Sequence, residues 1–155
     1  MKPIAYLLFM ASLLASHTSA QETSLFKKEV FEMDGSTLPY RILFPKNYDV
    51  QKKYPLILVL HGSGERGSDN KAQLVHGASL FLANRNSCEA IVVFPQCAAN
   101  SSWASIEVNK NRADREFGFY EKSIPTKDML LVEGLLKHLR KTYPLDRNKM
   151  YVGGL

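Results

Sequence analysis

The run His61-Gly62-Ser63-Gly64-Glu65-Arg66-Gly67 gathers, at one backbone turn, residue types that can do chemistry. It follows directly on Pro55-Leu56-Ile57-Leu58-Val59-Leu60, a continuous apolar run. The spacing admits two chemistries. Gly62, Gly64 and Gly67 spell G-x-G-x-x-G, with Glu89 about twenty residues beyond, the layout of a dinucleotide site. In such a site the helix opens within the glycine motif and packs apolar residues on the strand. Here Ser68-Asp69-Asn70-Lys71 follow instead, which are loop and cap residues, and a hairpin pattern precedes the strand. The second chemistry is acyl transfer, in which charge develops on a carbonyl oxygen. A glycine-rich turn at the end of a parallel strand can aim backbone N–H groups at that oxygen, worth a few kcal/mol. Glycine lets the backbone come close and take φ values that a Cβ forbids. The second chemistry fits these residues better.

The elements that must position this turn are legible in the hydrophobic pattern. Leu25 to Met33 alternates loosely, Asp34-Gly35-Ser36 signals a turn, and Leu38 to Phe44 alternates again, which predicts an antiparallel hairpin. The apolar run to Leu60, and a second at Ala90-Ile91-Val92-Val93-Phe94, predict strands covered on both faces, as in a parallel sheet. A third strand is expected from Met150-Tyr151-Val152. Between them, Lys71 to Asn84 is expected to be helical, capped by Ser68 or Asp69, with Leu74, Ala78 and Leu82 on one face. Thr126 to Tyr143 is the stronger helix. Met129, Val132, Leu136 and Leu139 recur at helical spacing, and Lys137, Arg140 and Lys141 sit near the end where the helix dipole favours cations. Strand, helix, strand, helix, strand is an α/β pattern. Gln96 to Pro125 reads as a long irregular loop, a length usually tied to function or disorder.

Residues 1–20 are expected to be a secretory leader, with Lys2, the apolar stretch Ile4 to Ala15 and the small residues Thr18-Ser19-Ala20 in order. That leaves residues 21–155 as one incomplete domain, secreted or periplasmic, with no stable membrane anchor after cleavage. The formal net charge is +5, lowered by one when Lys2 leaves, and the cations are scattered among acids. Such a surface excludes a nucleic-acid stripe. Two cysteines, Cys88 and Cys97, bracket one predicted strand. A strand rises about 3.3 Å per residue and a disulfide needs Cα atoms within roughly 7 Å, so only a fold-back at both strand ends joins them. Without a histidine cluster they make no zinc site. No metal and no cofactor is implied.

The segment Leu60-His61-Gly62-Ser63-Gly64-Glu65-Arg66-Gly67 resembles the L-H-G-x-G-E-R-G segment of the secreted esterase and predicted-peptidase branch of the α/β hydrolases, related to phospholipase/carboxylesterase and polyhydroxybutyrate-depolymerase-like enzymes. Val93-Phe94-Pro95-Gln96-Cys97 with Trp103, and Leu145 to Leu155, resemble the branch's next strand and its lead into the nucleophile elbow. The likeness runs from about Leu38 to the last residue. It implies an α/β-hydrolase fold: an N-terminal hairpin, then a mainly parallel sheet with helices on both faces, cut short at the nucleophile strand. By that resemblance the Ser63 backbone N–H is the first oxyanion donor, with Gly64 the alternative. His61, Gly62 and Gly67 shape the loop, and His61 fixes it by hydrogen bonding. Trp103 either walls the substrate pocket or packs as a plain aromatic. Gly154 and Leu155 open the G-x-S-x-G elbow, in which serine would come next.

The resemblance therefore implies a serine hydrolase cleaving carboxylic esters, or peptides, through an acyl-enzyme. Its ester substrate would be a small molecule or polymer-linked. The other class is a non-catalytic secreted binding module of the same ancestry. The triad order of this fold places nucleophile, acid and histidine beyond Leu155. His17, His76 and His138 are expected to be surface or packing residues, and the 155 residues alone are expected to be inactive. An end at Leu155 would leave the last strand as a bare parallel edge, and such edges template aggregation. Residues 21–155 alone are accordingly expected to be poorly soluble or molten. A sharp, cooperative melt of a monomeric sample would contradict that.

Overall fold

The computed structural model describes residues 23–109, 116–119 and 124–154, so the leader expected over residues 1–20, His17 and Leu155 lie outside the described residues. Two alternating segments form the hairpin, β1 (Lys27–Met33) and β2 (Ser36–Leu43), paired antiparallel with Met33 opposite Ser36. Asp34 and Gly35 turn between them with φ of +50° and +70°. Positive φ at both central residues is what a tight two-residue hairpin of right-handed twist requires. β3 (Tyr54–Leu60), β4 (Ile91–Pro95) and β7 (Leu145–Gly154) complete a sheet ordered β1-β2-β4-β3-β7. β2 runs antiparallel to β4, while β3 is parallel to both β4 and β7.

The period-two geometry of strands sorts the core into two layers. Leu38, Tyr40 and Ile42 of β2, Leu56 and Leu58 of β3, and Ile91 and Val93 of β4 face one side. There they bury Leu131, Val132, Leu135 and Leu139 of α2 (Lys127–Thr142). On the other side Leu43, Val92 and Phe94 meet Phe26, Leu74 and Ala78, with Phe81 and Leu82 partly buried behind them. Ala78, Phe81 and Leu82 belong to α1 (Ala78–Ala83). The helices thus lie on opposite faces. β4 is buried at every position, as its unbroken apolarity predicts. In β3, Ile57 and Val59 stay partly exposed at the margin of this second layer.

The structure redraws four local expectations. The helix expected over Lys71–Asn84 is broken into a single 3₁₀ turn, Ala72–Leu74, and α1. Gly77 separates them at φ +87°, a left-handed conformation that no α-helix continues through. Of the two cap candidates Asp69 serves, its Oδ1 accepting from the Lys71 and Ala72 N–H groups at 2.9 and 3.1 Å. Thr126 caps α2 through its hydroxyl, which accepts from the Met129 N–H at 3.1 Å. The buried face of α2 is Leu131, Val132, Leu135 and Leu139, with Met129 and Leu136 at its margin. The loop expected over Gln96–Pro125 carries a separate antiparallel pair, β5 (Ile106–Asn109) and β6 (Glu116–Phe119). β7 begins at Leu145 rather than Met150. Leu145 pairs with Tyr54, an irregularity follows, and Met150 then comes opposite Leu56. Tyr151 and Val152 are exposed on this edge strand. Among the described residues no helix is long and apolar enough to cross a membrane.

Candidate functional site

β3, β4 and β7 are parallel, so the segments that leave their C-terminal ends emerge at one edge of the sheet, where open α/β sheets place ligands. His61 to Gly67 leaves β3, Gln96-Cys97 leaves β4, and Gly154 closes β7 opposite Leu60. A Cβ on Gly154 would lie 3.1 Å from the Leu60 carbonyl oxygen, so the two strand ends approach closely here.

His61 is buried and both ring nitrogens are engaged. Its Nε2 accepts the Cys97 N–H at 2.9 Å, which fixes the proton on Nδ1, 2.6 Å from the Gly62 carbonyl. Its own carbonyl accepts the Trp103 indole N–H at 3.0 Å, and the two rings meet edge-on at 5.1 Å. With its basic nitrogen occupied by a backbone donor, this imidazole ties β3 to the segments after β4 and is not available as a base. Past Gly62 the chain closes one 3₁₀ turn, Ser63–Glu65, through a 3.4 Å bond from the Glu65 N–H to the Gly62 carbonyl. A turn of this kind leaves its first N–H groups without internal acceptors. Among the described residues those of Ser63 and Gly64 have no hydrogen-bond partner. Ser63 and Gly64 are exposed and beside them opens a cavity of about 210 Å³. Gly62, Ser63 and Arg66 line one side of it, Ser102, Trp103 and Ala104 the other. Ser102 folds back on this loop, its hydroxyl donating to the Ala104 carbonyl at 2.7 Å. No α-helix opens within the glycine motif, only the single 3₁₀ turn, so the helix that would receive a pyrophosphate is not formed.

A buried polar network that the sequence pattern conceals holds the loop from behind. Gln96, fully buried, accepts the Asn70 N–H at 2.7 Å and donates to the Glu65 carbonyl at 3.2 Å and to Asp69 Oδ1 at 2.7 Å. Gly67 donates to the Cys97 carbonyl at 2.9 Å, and a Cβ there would come within 3.2 Å of the Gln96 amide nitrogen. Asn70, at φ +50°, uses its side chain to bridge the Glu29 carbonyl and Gln73. Arg41 reaches across from β2 to the carbonyls of Asn70 and Phe26, at 2.6 and 2.8 Å. The Ala72 N–H first, and the Gln96 amide second, hold the Asp69 carboxyl below its ordinary 3.8. On the far side of the site Asp128, buried at the start of α2, accepts the Ala98 N–H at 3.1 Å.

Other groups that could do chemistry are turned elsewhere. Cys88 and Cys97 are free thiols. Burial, and Asp128 after it, pushes the Cys97 thiol up to about 11, so it is not a thiolate nucleophile. His76 is exposed beside Glu65 at 3.5 Å, and His138 lies against Phe31 on the outside of α2. Among the described residues no cluster of histidine, cysteine or carboxylate side chains could hold a metal.

A solved thermostable esterase superposes on 87% of this chain with a TM-score of 0.71 and 32% sequence identity. A ferulic acid esterase from the anaerobic fungus Anaeromyces mucronatus superposes on 84% with a TM-score of 0.52 and 17% identity. The chain carries part of an α/β-hydrolase fold. It spans 35% of the length of the thermostable esterase and 48% of the fungal enzyme. No family model matches the chain, and no curated protein sequence does.

Each buried polar group left without its partner costs about 1–3 kcal/mol. Gln96→Leu keeps the volume but strands the Asn70 N–H and the Glu65 carbonyl, so it is expected to lower the unfolding free energy by about 2–4 kcal/mol. It should also raise the Asp69 pKa. Asp69 titrates lower in the folded state than unfolded, so its contribution is complete above the unfolded pKa and fades as pH falls through the folded one. Urea unfolding at neutral and acidic pH reads both effects. An unchanged midpoint for Gln96→Leu would show that the network does not hold the loop.

Proposed function

We propose that this chain is the oxyanion-bearing part of a serine hydrolase that cleaves carboxylic esters. The observation that carries this reading is the pair of unengaged N–H groups at Ser63 and Gly64, of which Ser63 lines a cavity near the edge where β7 ends. In the proposed reaction a serine following Gly154-Leu155 attacks the ester carbonyl. The carbonyl π electrons move onto oxygen, and the Ser63 N–H, with the N–H of the residue after the nucleophile, donates to that oxyanion. The triad histidine takes the serine proton on attack and passes it to the leaving oxygen as the intermediate collapses, which expels the alcohol and leaves an acyl-enzyme that water cleaves by the same route. Gly64 is the alternative donor. The histidine and acid of the triad are supplied by residues outside these 155, since neither His61 nor the exposed His76 and His138 is placed for the task. A peptide bond is open to the same machinery.

The proposed setting is outside the cytoplasm, with residues 1–20 removed and an acylated polysaccharide or lipid fragment as the substrate. N-terminal sequencing of the protein recovered from the medium or periplasm should begin at Gln21, and a start at Met1 would contradict export with cleavage.

Because the Ser63 backbone is assigned the work, its hydroxyl should be dispensable and its N–H should not. In the full-length protein Ser63→Ala is expected to keep kcat within a few-fold of wild type. Ser63→Pro removes the N–H as well as the hydroxyl, so its difference from Ser63→Ala reads the N–H, at a position whose predecessor, Gly62 (φ −74°, ψ −177°), already has the extended backbone that proline demands. Loss of one oxyanion donor costs about 10²–10³ in kcat. An Ala variant as damaged as the Pro variant would assign the hydroxyl instead. Full activity in Ser63→Pro would move the donor to Gly64.

A further inference from the structure

The cavity beside Ser63 has one charged wall, and its charge is left uncompensated. Arg66 lines it together with Ser63 and Trp103. The acids of this loop, and Asp128 beside the segment after β4, have other partners. Glu65 faces His76 at 3.5 Å, Asp69 Oδ1 accepts from Lys71, Ala72 and Gln96, and Asp128 Oδ1 accepts from Ala98. Among the described residues no carboxylate pairs with the Arg66 guanidinium. The backbone that carries Arg66 is pinned on both sides, by Gln96 on the Glu65 carbonyl and by the Gly67 N–H on the Cys97 carbonyl. An exposed cation is thereby held at the mouth of the cavity on a rigid stretch of chain. Opposite it stands an indole whose ring is oriented by its bond to the His61 carbonyl.

We propose that Arg66 is a specificity residue, and that the substrate carries a carboxylate which its guanidinium binds while Trp103 packs against the attached carbon skeleton. The assignment rests on the ester-hydrolase reading for its catalytic consequence, though not for binding itself. Guanidinium is suited to the task because its planar fork meets both oxygens of a carboxylate, and because it stays charged at any working pH. A neutral pocket wall would not favour a carboxylate at all, whereas an unpaired cation at the rim steers one in and lowers the cost of holding it. The carboxylate can belong to the acyl group or to the alcohol. Arg66 recognises the same chemistry in either, and the two sources separate by experiment.

In the full-length protein, kcat/KM is measured on two matched pairs. One is 4-nitrophenyl hydrogen adipate against 4-nitrophenyl hexanoate, with the charge in the acyl group. The other is 3-acetoxybenzoate against phenyl acetate, with the charge in the alcohol. Arg66→Gln is expected to lower the charged-to-neutral ratio about tenfold in one pair, equivalent to about 1.4 kcal/mol. The affected pair identifies the source. Arg66→Lys should retain part of the preference, added salt should weaken it in wild type, and Arg147→Gln, a cation away from the cavity, should leave it alone. Ratios unchanged by Arg66→Gln in both pairs overturn the proposal. If wild type cleaves none of the four esters, the hydrolase reading has failed and binding is read directly. Trp103 is the sole tryptophan of the 155 residues, so its fluorescence, with Trp103→Phe as the blank, reports occupancy of the cavity. Saturable quenching by adipate, absent with hexanamide and lost in Arg66→Gln, supports the carboxylate site. No saturation by adipate in wild type overturns it.

Discussion

Parallel pairing of β3 with β4 on one side and β7 on the other is the constraint from which everything else at the site follows. Three strands that point the same way must release their chains at the same edge of the sheet. The glycine-rich turn, the Gln96-Cys97 segment and the close of β7 therefore meet without any one of them reaching far. The interaction that turns this meeting into a fixed geometry is the His61 imidazole. Its Nε2 accepts a hydrogen bond from the Cys97 N–H in the segment after β4, and the His61 backbone carbonyl accepts one from the Trp103 indole N–H. A group that accepts a backbone N–H in this way serves position rather than proton transfer.

Behind that meeting point lies a layer in which planar amides and one guanidinium do what a helix would do in a dinucleotide fold. There a helix packs directly under the glycine turn and its dipole faces the ligand. Here the corresponding stretch, Gly67 to Leu74, is mostly irregular and its backbone groups would be unsatisfied if nothing reached them. Gln96 and Arg41 reach them at Asn70 and Asp69 reaches them at Lys71 and Ala72, while Asn70, Gln96 and Arg41 are themselves buried and one oxygen, Gln73 Oε1, is left without a partner. The loop is then stiff from Glu65 to Asn70, while the N–H groups of Ser63 and Gly64 stay unengaged at its front. Preorganised donors that need no rearrangement at the moment of reaction are what electrostatic stabilisation of an oxyanion calls for.

How much of this was legible beforehand depended on whether the signal was periodic. The hairpin, β3, β4 and α2 follow from alternation, unbroken apolarity or a 3.6-residue stripe and lie within a few residues of expectation, whereas β7 starts at Leu145, ahead of the expected Met150. The break at Gly77 was hidden because Leu74, Ala78 and Leu82 keep helical spacing across it, and only the left-handed φ reveals it. The short pair β5–β6 does alternate, but each run is four residues long, short enough to read as part of a loop. The network was the least visible part. Arg41 occupies the outward phase of an alternating strand, where solvent is the ordinary expectation, and it is buried because the loop from Gly67 to Leu74 folds over that face. Gln96 follows a proline at a strand end and reads as the first residue of a loop. What could have singled them out is their place in the sheet: Arg41 lies within the β2–β4 pairing, opposite Phe94, and the Gln96 N–H continues that ladder to the Pro39 carbonyl at 2.8 Å.

The likeness to solved esterases covers most of this chain and only 35% of the longer of the two compared in identity, so the nucleophile is the claim on which the functional account stands. It is tested most directly by labelling the full-length protein with a fluorophosphonate and locating the adduct by mass spectrometry. The account predicts a single adduct on a serine immediately following the segment Met150-Tyr151-Val152-Gly153-Gly154-Leu155, lost when that residue is replaced by alanine. An adduct on Ser63, or no adduct in a protein that nonetheless cleaves esters, would contradict it.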